Sequence, residues 1–154
     1  MQKHNYNLEK YNFVQIVEEL FECDTLQEIH LKLPPDIQYK ELHKIGEDNK
    51  TWFHKVFYKP INEENSKFQE LYEKFVYEEI SKYVEEDKFL YQKSPTFRVH
   101  IPENIAVGGW HKDKDYNHPE GEINFIVSLT EANDTSSIWA ESSPEKEDFQ
   151  PLNM

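Results

Sequence analysis

Cysteine, arginine and glycine are scarce in this chain. One cysteine, Cys23, rules out an internal disulfide, and its position after a helical stretch suits a small buried apolar residue. No run of eighteen apolar residues occurs, so no transmembrane helix is expected. The opening Met1-Gln2-Lys3-His4-Asn5-Tyr6-Asn7 has no apolar stretch of the secretory kind, which makes a cytoplasmic location the default expectation. Basic residues are outnumbered, 17 Lys and Arg against 30 Asp and Glu, for a net charge of -13. Such a chain repels phosphate backbones and anionic lipid surfaces, so neither nucleic acid nor membrane is expected as a partner. A dianionic ligand would need a local positive centre, either a metal or an arginine. The only arginine is Arg98. Of the 4 glycines, two are adjacent, Gly108 and Gly109.

Apolar bulk is nevertheless sufficient for one core. Hydrophobic residues make up 37% and aromatics 14% of a chain whose 154 residues suit a single domain. No internal repeat, linker or low-complexity segment is evident.

The first part, residues 1–86, reads as a mainly helical layer. From Leu8 to Phe21, the residues Tyr11, Val14, Val17, Leu20 and Phe21 recur at helical steps. Asp24 with Gln27 has the form of a capping box. It would open a short second helix that buries Leu26, Ile29 and Leu33 and stops at Pro34-Pro35. His30, on the same edge, suits a helix-surface or core-edge position rather than a metal ligand. Tyr39 to Asn49 is polar, with a turn around Gly46. Thr51 to Tyr58 carries Trp52, Phe53, Val56 and Phe57, which fits two helical turns or a strand, with Pro60 marking the end. Asn62 to Val84 follows the 3.6-residue period through Phe68, Leu71, Tyr72, Phe75, Val76, Ile80 and Tyr83. Its apolar face, including Leu71 and Phe75, is expected against the outside of a sheet.

Residues 87–154 change to a period of 2. Phe89 to Gln92, Thr96 to Ile101, Ile105 to Val107, Ile123 to Thr130, Ser137 to Ser142 and Phe149 to Leu152 read as strands, with an acidic loop over Ser142 to Asp148. Helices followed by a run of antiparallel strands give an α+β fold, its sheet rolling toward a barrel.

The stretch richest in chemistry is Gly108-Gly109-Trp110-His111-Lys112-Asp113-Lys114-Asp115-Tyr116-Asn117-His118. On an extended strand His111 and Asp113, two apart, share a face. An imidazole and a carboxylate so placed form two thirds of a 2-His-1-carboxylate triad of the kind that holds non-haem iron(II). The plainer reading is an acidic surface turn. Asp115 is the rival carboxylate. His118 would join only if its loop folded back, whereas Asn117 and Pro119 indicate a turn pointing away.

The order of motifs from Pro95 to Pro151 carries a family resemblance: Pro-Thr-Phe-Arg-Val-His-Ile-Pro, then Gly-Gly-Trp-His-Lys-Asp, then Gly-Glu-Ile-Asn-Phe-Ile-Val-Ser-Leu, then Ser-Ile-Trp-Ala-Glu-Ser. This resembles the iron(II)- and 2-oxoglutarate-dependent dioxygenases of the streptomycin-biosynthesis type, within the cupin-like superfamily. The resemblance implies N-terminal helices packed on a double-stranded β-helix, or jelly roll. It also implies His111 and Asp113 as the first two metal ligands, iron(II) and 2-oxoglutarate as cofactors, and oxidation of a small-molecule substrate. Alternation on the Ile123 strand puts Asn124, Ile126 and Ser128 on one face, and Ile123, Phe125, Val127 and Leu129 on the other. The resemblance favours Asn124 facing the site, while alternation alone suits a solvent face. Arg98 is a cofactor-binding candidate whose alternative is a structural salt bridge.

In that family the second histidine and a basic 2-oxoglutarate-binding residue follow on later strands. Here only Leu152, Asn153 and Met154 follow Pro151, so an incomplete β-helix and an incomplete ligand set are expected. The alternatives are an inactive or regulatory relative, or a cupin-like module that binds a metal or small acid without turnover. Self-association through an open sheet edge is a further expectation.

Overall fold

The computed structural model describes residues 2–37, 50–102, 115, 117–119 and 121–154. Helix α1 spans Phe13–Phe21, α2 Trp52–Ile61 and α3 Lys67–Glu78, and two short strands follow, β1 Trp139–Ala140 and β2 Gln150–Pro151. Short 3₁₀ turns cover Leu26–Lys32, Ile80–Tyr83 and Asp134–Ser136. No helix among the described residues is long and apolar enough to cross a membrane.

Helix α1 starts later than its apolar spacing predicts. Asn12 is the cap, its side-chain oxygen accepting from Gln15 N–H at 3.1 Å. The residues from Leu8 to Tyr11 form a separate turn, closed by Tyr11 N–H donating to Asn7 O at 3.0 Å. The helix ends at Glu22, which takes the left-handed conformation at φ 51. The second helical stretch is 3₁₀ rather than α, and its cap is Thr25, not Asp24. The capping box is not made: the Thr25 hydroxyl turns to the Gln27 side chain instead of to backbone.

Pro60 does not terminate α2 but sits inside its last turn, and Ile61 beyond it is buried. A proline there removes only one late donor, and the gain from burying Ile61 carries the chain past it. In α3, Ser66 caps the start by accepting from Gln69 N–H at 3.3 Å. The residues from Asn62 to Asn65 are turn, with Asn65 left-handed at φ 61. The expected helix over 62–84 is therefore shortened at its start and tightens to 3₁₀ at its end.

The core is mostly aromatic. Phe13 meets Phe75 edge-on at 5.3 Å, Tyr11 meets Phe75 at 5.1 Å, and Phe57 meets Phe68 at 5.1 Å. Phe75 is buried as expected, whereas Leu71 is half-buried. Among the described residues α3 packs on α1 and α2 rather than on a sheet. It also ties down an extended segment, with Gln69 Nε2 donating to Lys93 O at 2.7 Å and the Tyr72 hydroxyl to Gln92 O at 2.9 Å.

Residues 88–92, 95–101 and 122–128 have no regular helix, and no ladder joins them to one another among the described residues. The last two expected strands do pair. β1 and β2 form an antiparallel hairpin in the register Trp139 to Pro151 and Ala140 to Gln150, around the acidic loop. Leu152 N–H donates to Ile138 O at 2.8 Å, and Ala132 and Met154 exchange two backbone bonds of 3.0 Å. The strand expected at Ile105 to Val107 and the turn around Gly46 lie outside the described residues.

Candidate functional site

The extended segment 95–101 is fixed by α2. Phe97 stacks on Phe57 with centroids 4.0 Å apart and planes 8° from parallel. Ile101 is buried and Val99 packs against the same core. Arg98 and His100, between them, are exposed. The second segment behaves alike in part. Val127 and Leu129 pack on the core, and Phe125 approaches Tyr83 at 6.3 Å. Asn124 and Ile126 are exposed, and the Ser128 hydroxyl turns to Thr130 O. The first segment thus gives its odd-numbered residues to the helical core, whereas the second does so only at Val127 and Leu129, Ile123 and Phe125 being exposed. Alternation turns Arg98 and His100 to the side away from it, and Asn124 and Ile126 are exposed.

That side is bounded by ordered polar contacts. The His100 ring donates from Nδ1 to Ser136 O at 2.7 Å, since a carbonyl only accepts. This leaves Nε2 as the acceptor nitrogen. His118 points Nδ1 at Glu122, 2.8 Å away, within a turn whose Asn117 is left-handed at φ 61. This is a contact within the turn that carries His118. Asp115 is exposed. His111 and Asp113 lie outside the described residues. Among the described residues, no group of three or more His, Cys, Asp and Glu side chains is gathered to hold a metal ion.

Two residues of this region give no sequence warning beyond their spacing. His54 and Tyr58, one turn apart on α2, both reach the backbone around Phe97. Their spacing on an otherwise apolar helix face is the one signal that marks them. An open groove of about 290 Å³ lies between α1 and the α2–α3 turn, lined by Ile16, Leu20, Ile61 and Phe68 with Glu19 and Glu63 among the polar residues. Arg98, His100 and Asn124 are not part of it.

No family model matches the sequence, and no solved structure matches it. Among curated proteins, the chain is 32% identical over 97 residues to streptomycin biosynthesis protein StrG of Streptomyces griseus. The match covers 63% of this chain and 46% of that protein, so the aligned region spans less than half the relative's length.

Proposed function

We propose that this chain serves small-molecule biosynthesis as an iron(II)/2-oxoglutarate-dependent oxygenase-like protein, built on a double-stranded β-helix beneath the helical layer. Its supports are the 32% identity to a protein named for streptomycin biosynthesis and the order of motifs around the Gly108-Gly109 pair. The structural observation beside them is the alternation over 96–101, which hands Phe97, Val99 and Ile101 to the helical core and leaves Arg98 exposed on the other side, with Asn124 exposed as well. Under this reading a guanidinium pairs with a 2-oxoglutarate carboxylate through two parallel hydrogen bonds, and the Asn124 amide adds a donor. The metal ligands of the reading are His111 and Asp113. Iron(II) with 2-oxoglutarate supplies the oxygen-activating chemistry, and this chain's residues hold and orient.

The described residues do not make an iron site by themselves. A second reading is a catalytically inactive or regulatory cupin-like domain that binds a metal or small acid. His54 engages both ring nitrogens in the fold, His100 bonds Ser136 O through Nδ1, and His118 bonds Glu122 through Nδ1.

Calorimetric titration of 2-oxoglutarate in the presence of Mn(II) tests the assignment of Arg98. A hydrogen bond to a charged group contributes about 1.5–3 kcal/mol, so Arg98→Ala is expected to weaken binding by about tenfold or more. Equal affinity in Arg98→Ala and the wild type removes Arg98 from the site.

A further inference from the structure

We infer that His54 and Tyr58 are positioning residues that set the register of the segment bearing Arg98 and His100. The proposal concerns how that face is held, and it extends the reading of the face as a ligand site.

An extended backbone exposes a row of N–H and C=O groups that a neighbouring strand normally satisfies. At Phe97 two side chains of α2 take that part. The Tyr58 hydroxyl accepts from Phe97 N–H at 2.8 Å and donates to Pro95 O at 3.2 Å. His54 donates from Nε2 to Phe97 O at 3.1 Å. Its Nδ1 is then the acceptor, and the Thr51 hydroxyl, at the cap of α2, donates to it at 2.8 Å. The tautomer of His54 is thus set by the Phe97 carbonyl and matched by the Thr51 hydroxyl, and both backbone groups of Phe97 are matched from one helix. With the ring of Phe97 stacked on Phe57, a single residue is gripped by its N–H, its C=O and its side chain.

The consequence follows from the period of 2. A slip of one residue exchanges the two faces of an extended segment. It would turn Arg98 and His100 into the aromatic core and Phe97, Val99 and Ile101 out of it. The apolar residues alone resist such a slip through burial. The His54 and Tyr58 bonds add direction, because they fit only one residue's pair of backbone groups. A purely apolar filler would suit position 54 at lower risk: the residue is only 4% exposed, and its helix neighbours Phe53, Phe57 and Ile61 are apolar. A buried imidazole is tolerable only because both nitrogens are bonded.

The test uses Tyr58→Phe, which removes one hydroxyl, together with His54→Leu and His54→Gln. Amide exchange at Phe97 and the ring ¹⁵N resonances of His100 are read by NMR, beside the global unfolding midpoint. Tyr58→Phe is expected to speed Phe97 exchange about tenfold. It should also shift the His100 nitrogens, as the bond to Ser136 O loosens, while Val17 in α1 exchanges as before. His54→Gln, which keeps a donor toward Phe97 O, should lie closer to wild type than His54→Leu. A Phe97 exchange rate and His100 resonances unchanged in Tyr58→Phe overturn the proposal. So does a change in which every amide accelerates in step with lost global stability, the mark of a merely structural role. These readouts need no ligand. A wild-type protein that fails to bind 2-oxoglutarate therefore counts against the oxygenase reading alone.

Discussion

The Tyr11 hydroxyl donates to Glu78 Oε2 at 2.6 Å, joining the turn before α1 to the last residue of α3 across 67 positions of sequence. Lys10 Nζ reaches the same carboxylate at 2.7 Å while lying over the Tyr11 ring at 5.0 Å. The Tyr11 ring is itself buried against Phe75 and Tyr6. One carboxylate thus ties the turn before α1 to the end of α3.

This contact gives the protein a pH dependence of defined sign. The hydrogen bond from Lys10, and then that from Tyr11, hold the Glu78 carboxyl below its ordinary value. A depressed folded value adds stability that is fully present above the unfolded value of about 4.3 and is lost as pH falls through the folded one. Urea unfolding of the wild type and Glu78→Gln, compared from neutral pH down to mild acid, should show a gap at neutral pH that closes in acid. A gap that stays constant with pH contradicts the assignment.

Phe75 sits at the crossing of α1 and α3, in edge contact with Tyr6, Tyr11 and Phe13. Its replacement by alanine should cost about 3–5 kcal/mol, a large part of the roughly 5–15 kcal/mol that holds a domain together. Glu73 is exposed on the same helix, so Glu73→Ala should leave the unfolding midpoint nearly unchanged. Comparable shifts in denaturant midpoint for the two variants would place the buried face of α3 elsewhere.

The legible parts of the sequence were those where one face decides the structure. The apolar periods of α1 and α3 found Val17, Phe21, Phe68 and Phe75, all buried. The period of 2 over 96–101 found the segment that hands Phe97 and Ile101 to the core. Local chemistry was less legible. Asp24 offers the same cap atoms as Thr25, and the backbone path around them decided which residue became the cap. Pro60 reads as a stop, yet burial of Ile61 outweighed one lost donor. The contact of α3 with α1 and α2 depends on how three amphipathic helices meet, which no single period encodes. His54, a histidine among Phe53, Val56 and Phe57, carries no signal beyond its one-turn spacing from Tyr58 until Phe97 is brought beside it.

The hairpin makes a separate prediction about association. Because Leu152 N–H donates to Ile138 O, Trp139 and Pro151 are the non-hydrogen-bonded pair, and their backbone groups face the outer edges. Pro151 has no N–H to offer there, which blunts the outer edge of β2. Ile138 and Trp139, at 38% and 39% exposure, are the exposed large apolar side chains of the hairpin itself. Association is therefore predicted through these side chains rather than through strand pairing. Sedimentation velocity over rising concentration should show a larger species that Trp139→Ser removes. Association undiminished in that variant contradicts the prediction.

The central claim is that His111 and Asp113 hold the metal of an oxygenase-like site. Anaerobic titration of Fe(II) into the wild type and into the His111→Ala, Asp113→Ala double variant measures it most directly. The account predicts saturable binding by the wild type, weak if two protein ligands act alone, and its loss in the double variant. Equal binding by the two proteins would contradict it.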